Sequence, residues 1–465
     1  MLLNYMRALL LYTYVANLYC NDHSIIDVST TQDALNIKVG DLLSFTIPIQ
    51  NFVECDNFDV CFLHKSEEIV DSLFYYKEDY VIWRQSVLLG FINKKPAKPI
   101  IPDATDVHHG EGIPPLFPYP ILPIKLINLR YLTWRGTFTV GIWGDGKDVP
   151  GILWGLAGGP LVLFKEPNNL AVLIAPLDNF FHSIIYPDCK LNADSCFLSF
   201  GVSSELEELP PGFLHETVMI VSKQGISDVI HKYSEMVRNR ATPTNRIIKD
   251  IGISLYTDNG GYYYGDAWNY TCCSGSDLQR AFNTDIQWTQ LQLDDWWYPG
   301  EKSIYVKCIE SWEARTDLFP SGLKGLHESV GVPLALYIPF FCKNYNAKNI
   351  RFLNGTKFAI AHPDDSEQFF TALFSEKSDI MNLIEHDFLN FNFLAVREFR
   401  SKFGWARKWF QGFARAAEKF NIDLMLCMQL PSHILETALW EVFSQELPMI
   451  IYMMEIGILA LLLCF

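Results

Sequence analysis

Leu291-Gln292-Leu293-Asp294-Asp295-Trp296-Trp297 and Ile384-Glu385-His386-Asp387-Phe388-Leu389-Asn390 are the two stretches whose reading decides the fold. Each closes an apolar run, 286–293 and 381–386, with carboxylates. The pattern repeats on either side. Residues 251–256 end in Thr257-Asp258, residues 333–338 are apolar, and residues 422–428 end in Gln429. Between these runs lie amphipathic segments of helical period at 274–282, 318–330, 364–374 and 395–420. Strands alternating with helices build a parallel sheet. In a (β/α) barrel, functional groups sit at the C-terminal ends of the strands, where the polar residues fall here. An open doubly wound sheet shares the rhythm, but no G-x-G-x-x-G follows the first strand, so a dinucleotide fold lacks its loop. About five strand–helix units fit before the rhythm stops at Leu439, against eight in a closed barrel. The expectation is a partial TIM (β/α) barrel over residues 247–440.

Upstream the punctuation changes. Residues 42–49, 81–92, 137–143, 151–164 and 170–176 are short, rich in Val, Ile, Leu, Phe and Trp, and separated by Gly, Pro, Asn and Asp. This predicts an N-terminal β-sandwich over 27–220. Residues 94–123 are rich in proline and read as a loop, and His108-His109 inside it reads as loop histidines rather than a metal site. Ile226, Val229, Ile230, Tyr233 and Val237 recur at helical spacing, which predicts a helix over 225–240 within a linking segment 221–246. The fold class is therefore multidomain: β plus α/β.

The formal charge is −16 and the pI near 5.1, which excludes a nucleic-acid partner that needs a basic face. Residues 1–20 place Arg7 before an apolar run from Ala8 to Ala16, the layout of a signal peptide, and the run is too short to span a bilayer. Cys55/Cys61 and Cys189/Cys196 are close enough to close small loops in an oxidising compartment. None of the 11 cysteines forms C-x-x-C, so zinc is not expected. Sequons begin at Asn269 and Asn354. These features imply a secreted or luminal glycoprotein, the lysosome included. The apolar tail 441–465, interrupted by Glu455, reads either as a membrane or lipid anchor or as a replacement for the remaining barrel strands; the second reading is preferred. A membrane partner follows only if that tail inserts.

Retaining glycoside cleavage needs two carboxyls about 5–5.5 Å apart, one attacking the anomeric carbon and one protonating the leaving oxygen. The strand ends supply candidates. Asp387, closing a buried strand, is either such a group or the cap of the next helix. Asp294 and Asp295 before two Trp either grip sugar hydroxyls under an indole or make a turn. Asp258 opens a glycine-bearing aromatic loop. The 12 Trp, 21 Tyr and 33 Phe suit sugar stacking as well as large cores.

The segments QLDDWW and FPSGLKGLHESVGVPLALY (319–337), with IEHDFLN and CMQLPSHIL, resemble the retaining α-glycosidase clan of α-galactosidases and raffinose synthases. The resemblance covers roughly 247–439 and implies a TIM-barrel glycoside hydrolase, cut short at its C-terminus, acting on α-linked glycosides. It implies Asp387 as nucleophile, Asp294 and Asp295 as carboxylates on the substrate's hydroxyls, and Asp258 and Trp296 lining the sugar subsite. It implies a carbohydrate substrate and no cofactor, since the chemistry runs on carboxyls alone. Two departures stand out. The clan carries Lys where this chain has Glu385, and its acid/base Asp comes from a sixth-strand motif that does not follow Leu439. Losing a general acid forfeits on the order of 10²–10⁴ in rate. The alternative is accordingly a catalytically inactive carbohydrate-binding or interaction protein; a third class, a membrane-anchored surface protein, rests on the tail.

Overall fold

The computed structural model describes residues 26–30, 34–39, 43–48, 51–52, 60–65, 70–77, 79–97, 115–116, 121–125, 128–135, 140–145, 159–166, 169–188, 195–241, 252–257, 278–279, 282–302, 307–354 and 358–439. The expected signal peptide, the 55/61 and 189/196 cysteine pairs, most of the proline-rich loop, Asp258, the Asn269 sequon, most of the helix candidate at 274–282 and the tail lie outside these residues or outside the side chains described in them.

Two antiparallel sheets occupy the first half. One has six strands, with Ile26–Thr30 at one edge and Ser183–Asp188 at the other. The second has nine, from Val140–Asp145 to Asn51–Phe52. In the nine-stranded sheet Leu170–Pro176 (LAVLIAP) is buried at every position. It lies between Leu161–Lys165 and Phe213–Ser222, so its backbone is paired on both sides. Its face Ala171-Leu173-Ala175 meets helix α1 (Ile226–Arg238) through Val229, Ile230, Tyr233 and Val237. Tyr233 donates its hydroxyl to Pro176 O at 2.8 Å. The apolar i, i+3, i+4 spacing is what lays this helix on the sheet.

The second half holds a five-stranded sheet: β1 (Ile253–Tyr256), β2 (Trp288–Leu293), β3 (Leu334–Ile338), β4 (Met381–His386) and β5 (Asp423–Leu426), in that spatial order. Every neighbour pair is parallel. Parallel neighbours need crossovers, which α2 (Gly322–Val330), α3 (Ser366–Ser375) and the run α4 (Leu389–Ala395), α5 (Arg397–Ser401) and α6 (Trp405–Lys419) supply; α7 (Pro431–Thr437) follows β5. The fold is thus mixed β and α/β, with a parallel sheet of half-barrel size. One expectation is corrected. The single helix over 395–420 is broken, because Gly404 sits at φ 78°, where the chain stops one helix and caps the next.

Period-two alternation gives each strand of the parallel sheet two different faces. The outer face presents Leu336, Ile338 and Ile384 to Leu323, Leu326, Phe370, Phe374, Trp409 and Phe413 of the helices. The inner face carries a small apolar layer of Ala335, Leu383 and Met425 with Tyr256 against it. The two halves meet in a polar and aromatic seam. Phe181 packs on Phe393, Phe410 and His433. Arg400 donates to Glu205 at 2.7 Å with both buried, and Arg407 reaches Glu436 at 2.6 Å and Asn179 at 3.2 Å. Among the described residues no helix is long and apolar enough to cross a membrane.

Helices α3 and α6 approach closely at Gly412, where an added Cβ would collide with Ser366 Oγ and lie 2.7 Å from Glu367 N. Gly412→Ala gains about 1 kcal/mol of helix propensity but overpacks the contact by about 1–3 kcal/mol. Chemical denaturation is expected to give a lower midpoint for the variant; an unchanged or higher midpoint would refute this packing.

Candidate active site

Inward-facing side chains at the C-terminal ends of β1 to β5 gather into one polar layer above the Tyr256 layer. Gln292 and Asp294 come from β2 and the turn after it, Tyr337 from β3, Glu385 and Asp387 from β4 and the residue after it, and Cys427 from the residue after β5. All are buried. Asp387 N donates to Ile338 O at 2.9 Å, and Cys427 N to His386 O at 2.8 Å, so the parallel ladder continues just past the strands and fixes where these two side chains leave the backbone.

Glu385 and Asp387 alternate with Ile384 and His386. His386 points outward into the helices, with its ring 5.3 Å from Trp409 and 5.2 Å from Phe413. Burial there pushes its imidazole down to about 4, so it is neutral at physiological pH. Asp387 therefore shares the inner face with Glu385. Its Oδ2 accepts Tyr337 OH at 2.7 Å and its Oδ1 accepts Phe388 N at 2.7 Å. Phe388 itself sits at φ 54°, a left-handed conformation costly for a bulky residue by about 1–3 kcal/mol. Met428, directly after Cys427, is likewise at φ 49°, and its carbonyl accepts Asn390 N at 2.9 Å.

A second knot joins β1, β2 and β4. Gln292 Nε2 donates to Asp294 Oδ2 and to Glu385 Oε2, both at 2.8 Å. Its Oε1 accepts Thr257 N at 3.0 Å and Thr257 Oγ1 at 3.3 Å. Thr257 Oγ1 in turn accepts Asp294 N at 3.1 Å and Trp296 Nε1 at 3.0 Å. Asp295 N donates to Asp294 Oδ1 at 2.8 Å. Trp296 is buried against Phe319, with ring centroids 5.5 Å apart. Lys307, buried nearby, donates to Tyr298 O; burial holds its ammonium down to about 8, while the Asp295 carboxylate pulls it the other way.

Of the sequence candidates, Asp294, Asp295, Trp296 and Asp387 thus lie at the ends of β2 and β4, the strands on either side of β3, with Asp294 and Asp387 on the inner face. Asp258 lies outside the described residues. The sequence reading missed Gln292, Thr257, Tyr337 and Cys427 as parts of this layer. Gln292 carried a signal, being an amide two residues before Asp294 and so on the same face of its strand. Burial, and then the Asp387 and Glu385 carboxylates, push the Cys427 thiol up. Groups of three or more His, Cys, Asp or Glu placed to hold a metal are absent among the described residues.

Over the rim lies a small sheet of Gly300–Lys302, Lys307–Ile309, Phe341–Cys342, Phe358–Ala361 and Phe352–Asn354, built from the segments that follow β2 and β3. A disulfide between Cys308 and Cys342 fastens the two segments, 34 residues apart in sequence.

No family model and no curated protein matches the chain. Among solved structures, it is similar to a family 36 α-galactosidase from Geobacillus stearothermophilus in complex with raffinose, at 11% identity and TM-score 0.47 over 94% of this chain and 62% of that one. It is similar to an α-N-acetylgalactosaminidase from Bifidobacterium bifidum at 10% identity and TM-score 0.47, over 89% of this chain and 70% of that one. For a glycoside hydrolase family 97 enzyme from Pseudoalteromonas sp. strain K8 in complex with acarbose, the figures are 8% and 0.46 over 87% and 59%. The chain therefore spans less than two thirds of the length of the first of these.

Two cysteine outcomes follow. In the folded protein at pH 8, Cys427 is expected to resist iodoacetamide and to be alkylated on unfolding, as read by peptide mass spectrometry; labelling of the native thiol would contradict its burial and its carboxylate neighbours. Replacing Cys308 and Cys342 by Ser reopens a loop of 34 residues. The stability lost is about 3–4 kcal/mol, measured as a lower denaturant midpoint.

Proposed function

We propose that this chain is of the α-glycosidase type and that its inner barrel face receives an α-linked glycoside. One observation carries the reading: Asp294, Glu385 and Asp387 are buried on one face at the C-terminal ends of parallel strands, each accepting a hydrogen bond from a side chain of the same polar layer. Buried carboxylates are costly to keep, and strand ends are where barrel folds place chemistry. The left-handed Phe388 beside Asp387 adds stored strain at the same point.

In the proposed retaining mechanism Asp387 attacks the anomeric carbon. A carboxylate–carbon bond forms as the bond to the leaving group breaks, and the leaving group takes the electron pair. Water then cleaves the glycosyl ester, returning Asp387 as carboxylate. Tyr337 and the Phe388 amide orient the attacking group. Asp294 and Asp295 accept hydroxyls of the sugar, and Asp258 and Trp296 complete the subsite lining. The reaction asks for no cofactor. A carbohydrate-binding protein without turnover is the competing class.

Around this site we place a β-sandwich domain over 27–220, a linking segment over 221–246 and a partial barrel domain over 247–440. The two antiparallel sheets and the change to parallel strands after α1 support that division. Passage through the secretory pathway is part of the same proposal, supported by the Cys308–Cys342 disulfide, which persists in oxidising compartments.

The test uses α-galactosyl and α-glucosyl fluoride, whose leaving group needs little protonation. Fluoride release by the parent protein is expected to fall about 10³-fold or more in Asp387→Asn, which keeps shape and loses the nucleophilic charge. Equal rates for both proteins would remove Asp387 from the mechanism. Saturable binding of an iminosugar with no release by either would favour the binding protein.

A further inference from the structure

We infer that Gln292 is the positioning residue of this site: its carboxamide holds the carboxylates of Asp294 and Glu385 in register across β2 and β4 without touching substrate. The backbone decides which way the amide faces. Thr257 N is an obligate donor, so the atom 3.0 Å from it must be the carbonyl oxygen. The amide nitrogen is thereby turned to the two acids, at 2.8 Å each. A carboxamide has two N–H donors and two acceptor lone pairs. Here Oε1 takes both the amide and the hydroxyl of Thr257, and Nε2 serves one oxygen each of Asp294 and Glu385, so every bonding position is used. Gln292 is fully buried, so water does not compete. A group with no spare donor or acceptor recognises nothing further; what it can do is fix its neighbours.

The coupling extends further. The Thr257 hydroxyl donates to Gln292 Oε1 and accepts both Asp294 N and Trp296 Nε1, which saturates it as well. Moving the amide would therefore release Asp294, Glu385 and the indole of Trp296 together. An apolar residue of the same length would leave Thr257 N and two buried carboxylates each short of a partner, a larger penalty than any single lost bond. Among the described residues, the titratable groups facing the amide and its two acids are Tyr256 from β1, Asp294 and Asp295 after β2, Tyr337 from β3, Glu385 and Asp387 at β4, and Cys427 after β5.

Two substitutions separate this role from mere packing. Gln292→Glu keeps the shape but replaces the double donor by a third carboxylate between two others. Repulsion and burial raise the folded pKa of the added carboxyl above its unfolded value. Its destabilisation is then fully present above that raised pKa and fades as pH falls through it. The unfolding temperature of Gln292→Glu should lie below that of the parent at pH 8, with the gap narrowing by at least ~2 °C at pH 5. Gln292→Met also strips Asp294 and Glu385 of their donor but adds no third carboxylate, so its gap should narrow by clearly less than that of Gln292→Glu. This arm needs no sugar. The second arm rests on the glycosidase reading: kcat/KM on α-galactosyl fluoride should fall about 10²-fold in both variants at pH 8 and recover in part at pH 5 only in Gln292→Glu. A pH-independent gap for Gln292→Glu would overturn the amide bridge. A narrowing gap with parent-like turnover would overturn the positioning role. A narrowing gap in a parent that neither binds the iminosugar nor releases fluoride would leave the bridge standing and sink the glycosidase reading.

Discussion

The alternation of side chains along β4 is the constraint on which the rest of the site depends. Ile384 and His386 face the helices, in a shell of Phe370, Trp409 and Phe413. Glu385 and Asp387 must then face inward, because successive side chains leave a strand on opposite sides. A slip of one residue would drive both carboxylates into that aromatic shell, at several kcal/mol per buried ion. The aromatic packing outside the sheet thus dictates the chemistry inside it. That His386 is held neutral among rings is the other side of the same choice.

Once the acids face inward, the strands beside them have to supply donors. They do so by different means. Asp387 draws on the Tyr337 hydroxyl and on the N–H of the next peptide. Asp294 and Glu385 share a single amide, itself held by Thr257. In a medium of low dielectric such bonds are stronger than at the surface, and their absence costs more. The inner face is therefore a hydrogen-bonded polar layer on a small apolar one.

Much of this was legible in the residues. The parallel strands stand at 253–256, 288–293, 334–338, 381–386 and 423–426, against runs read at 251–256, 286–293, 333–338, 381–386 and 422–428. Apolar runs of strand length with polar ends are an unusually clear signal, since a parallel strand is buried on both faces. Three things were not legible. The rim sheet is made of strands of two to four residues inside long connections, too short to show a period, and its disulfide joins cysteines 34 residues apart that no spacing rule pairs. The break at Gly404 hides inside an amphipathic stretch, because one glycine is tolerated in helices as often as it ends them. The bond between Gln292 and Glu385 spans 93 residues and exists only once β2 and β4 lie on either side of β3. Long-range pairing of that kind is a property of topology, and no local window contains it.

The antiparallel half of the molecule bears on the site through β5. Among the described strands β5 pairs with β4 alone, so its other edge has no ladder to place it. It is placed by the helices on either side of it. Arg407 of α6 bonds both Glu436 of α7 and Asn179 of the first half, and Arg400 of α5 bonds Glu205 there. Glu436 is wholly buried, and its carboxyl is pushed up by that burial while Arg407 draws it back down. Removing Arg400 from its pair with Glu205, where both partners are buried, costs about 3–5 kcal/mol, because the carboxylate stays buried and uncompensated. The seam therefore clamps α5, α6 and α7 as one unit, and β5 with it. Cys427, which leads from β5 to the Asp387 carboxylate, is then positioned from outside the barrel. The rim disulfide ties the segment after β2 to the segment after β3. β4, which carries the two carboxylates, lies between β3 and β5 and is paired to both.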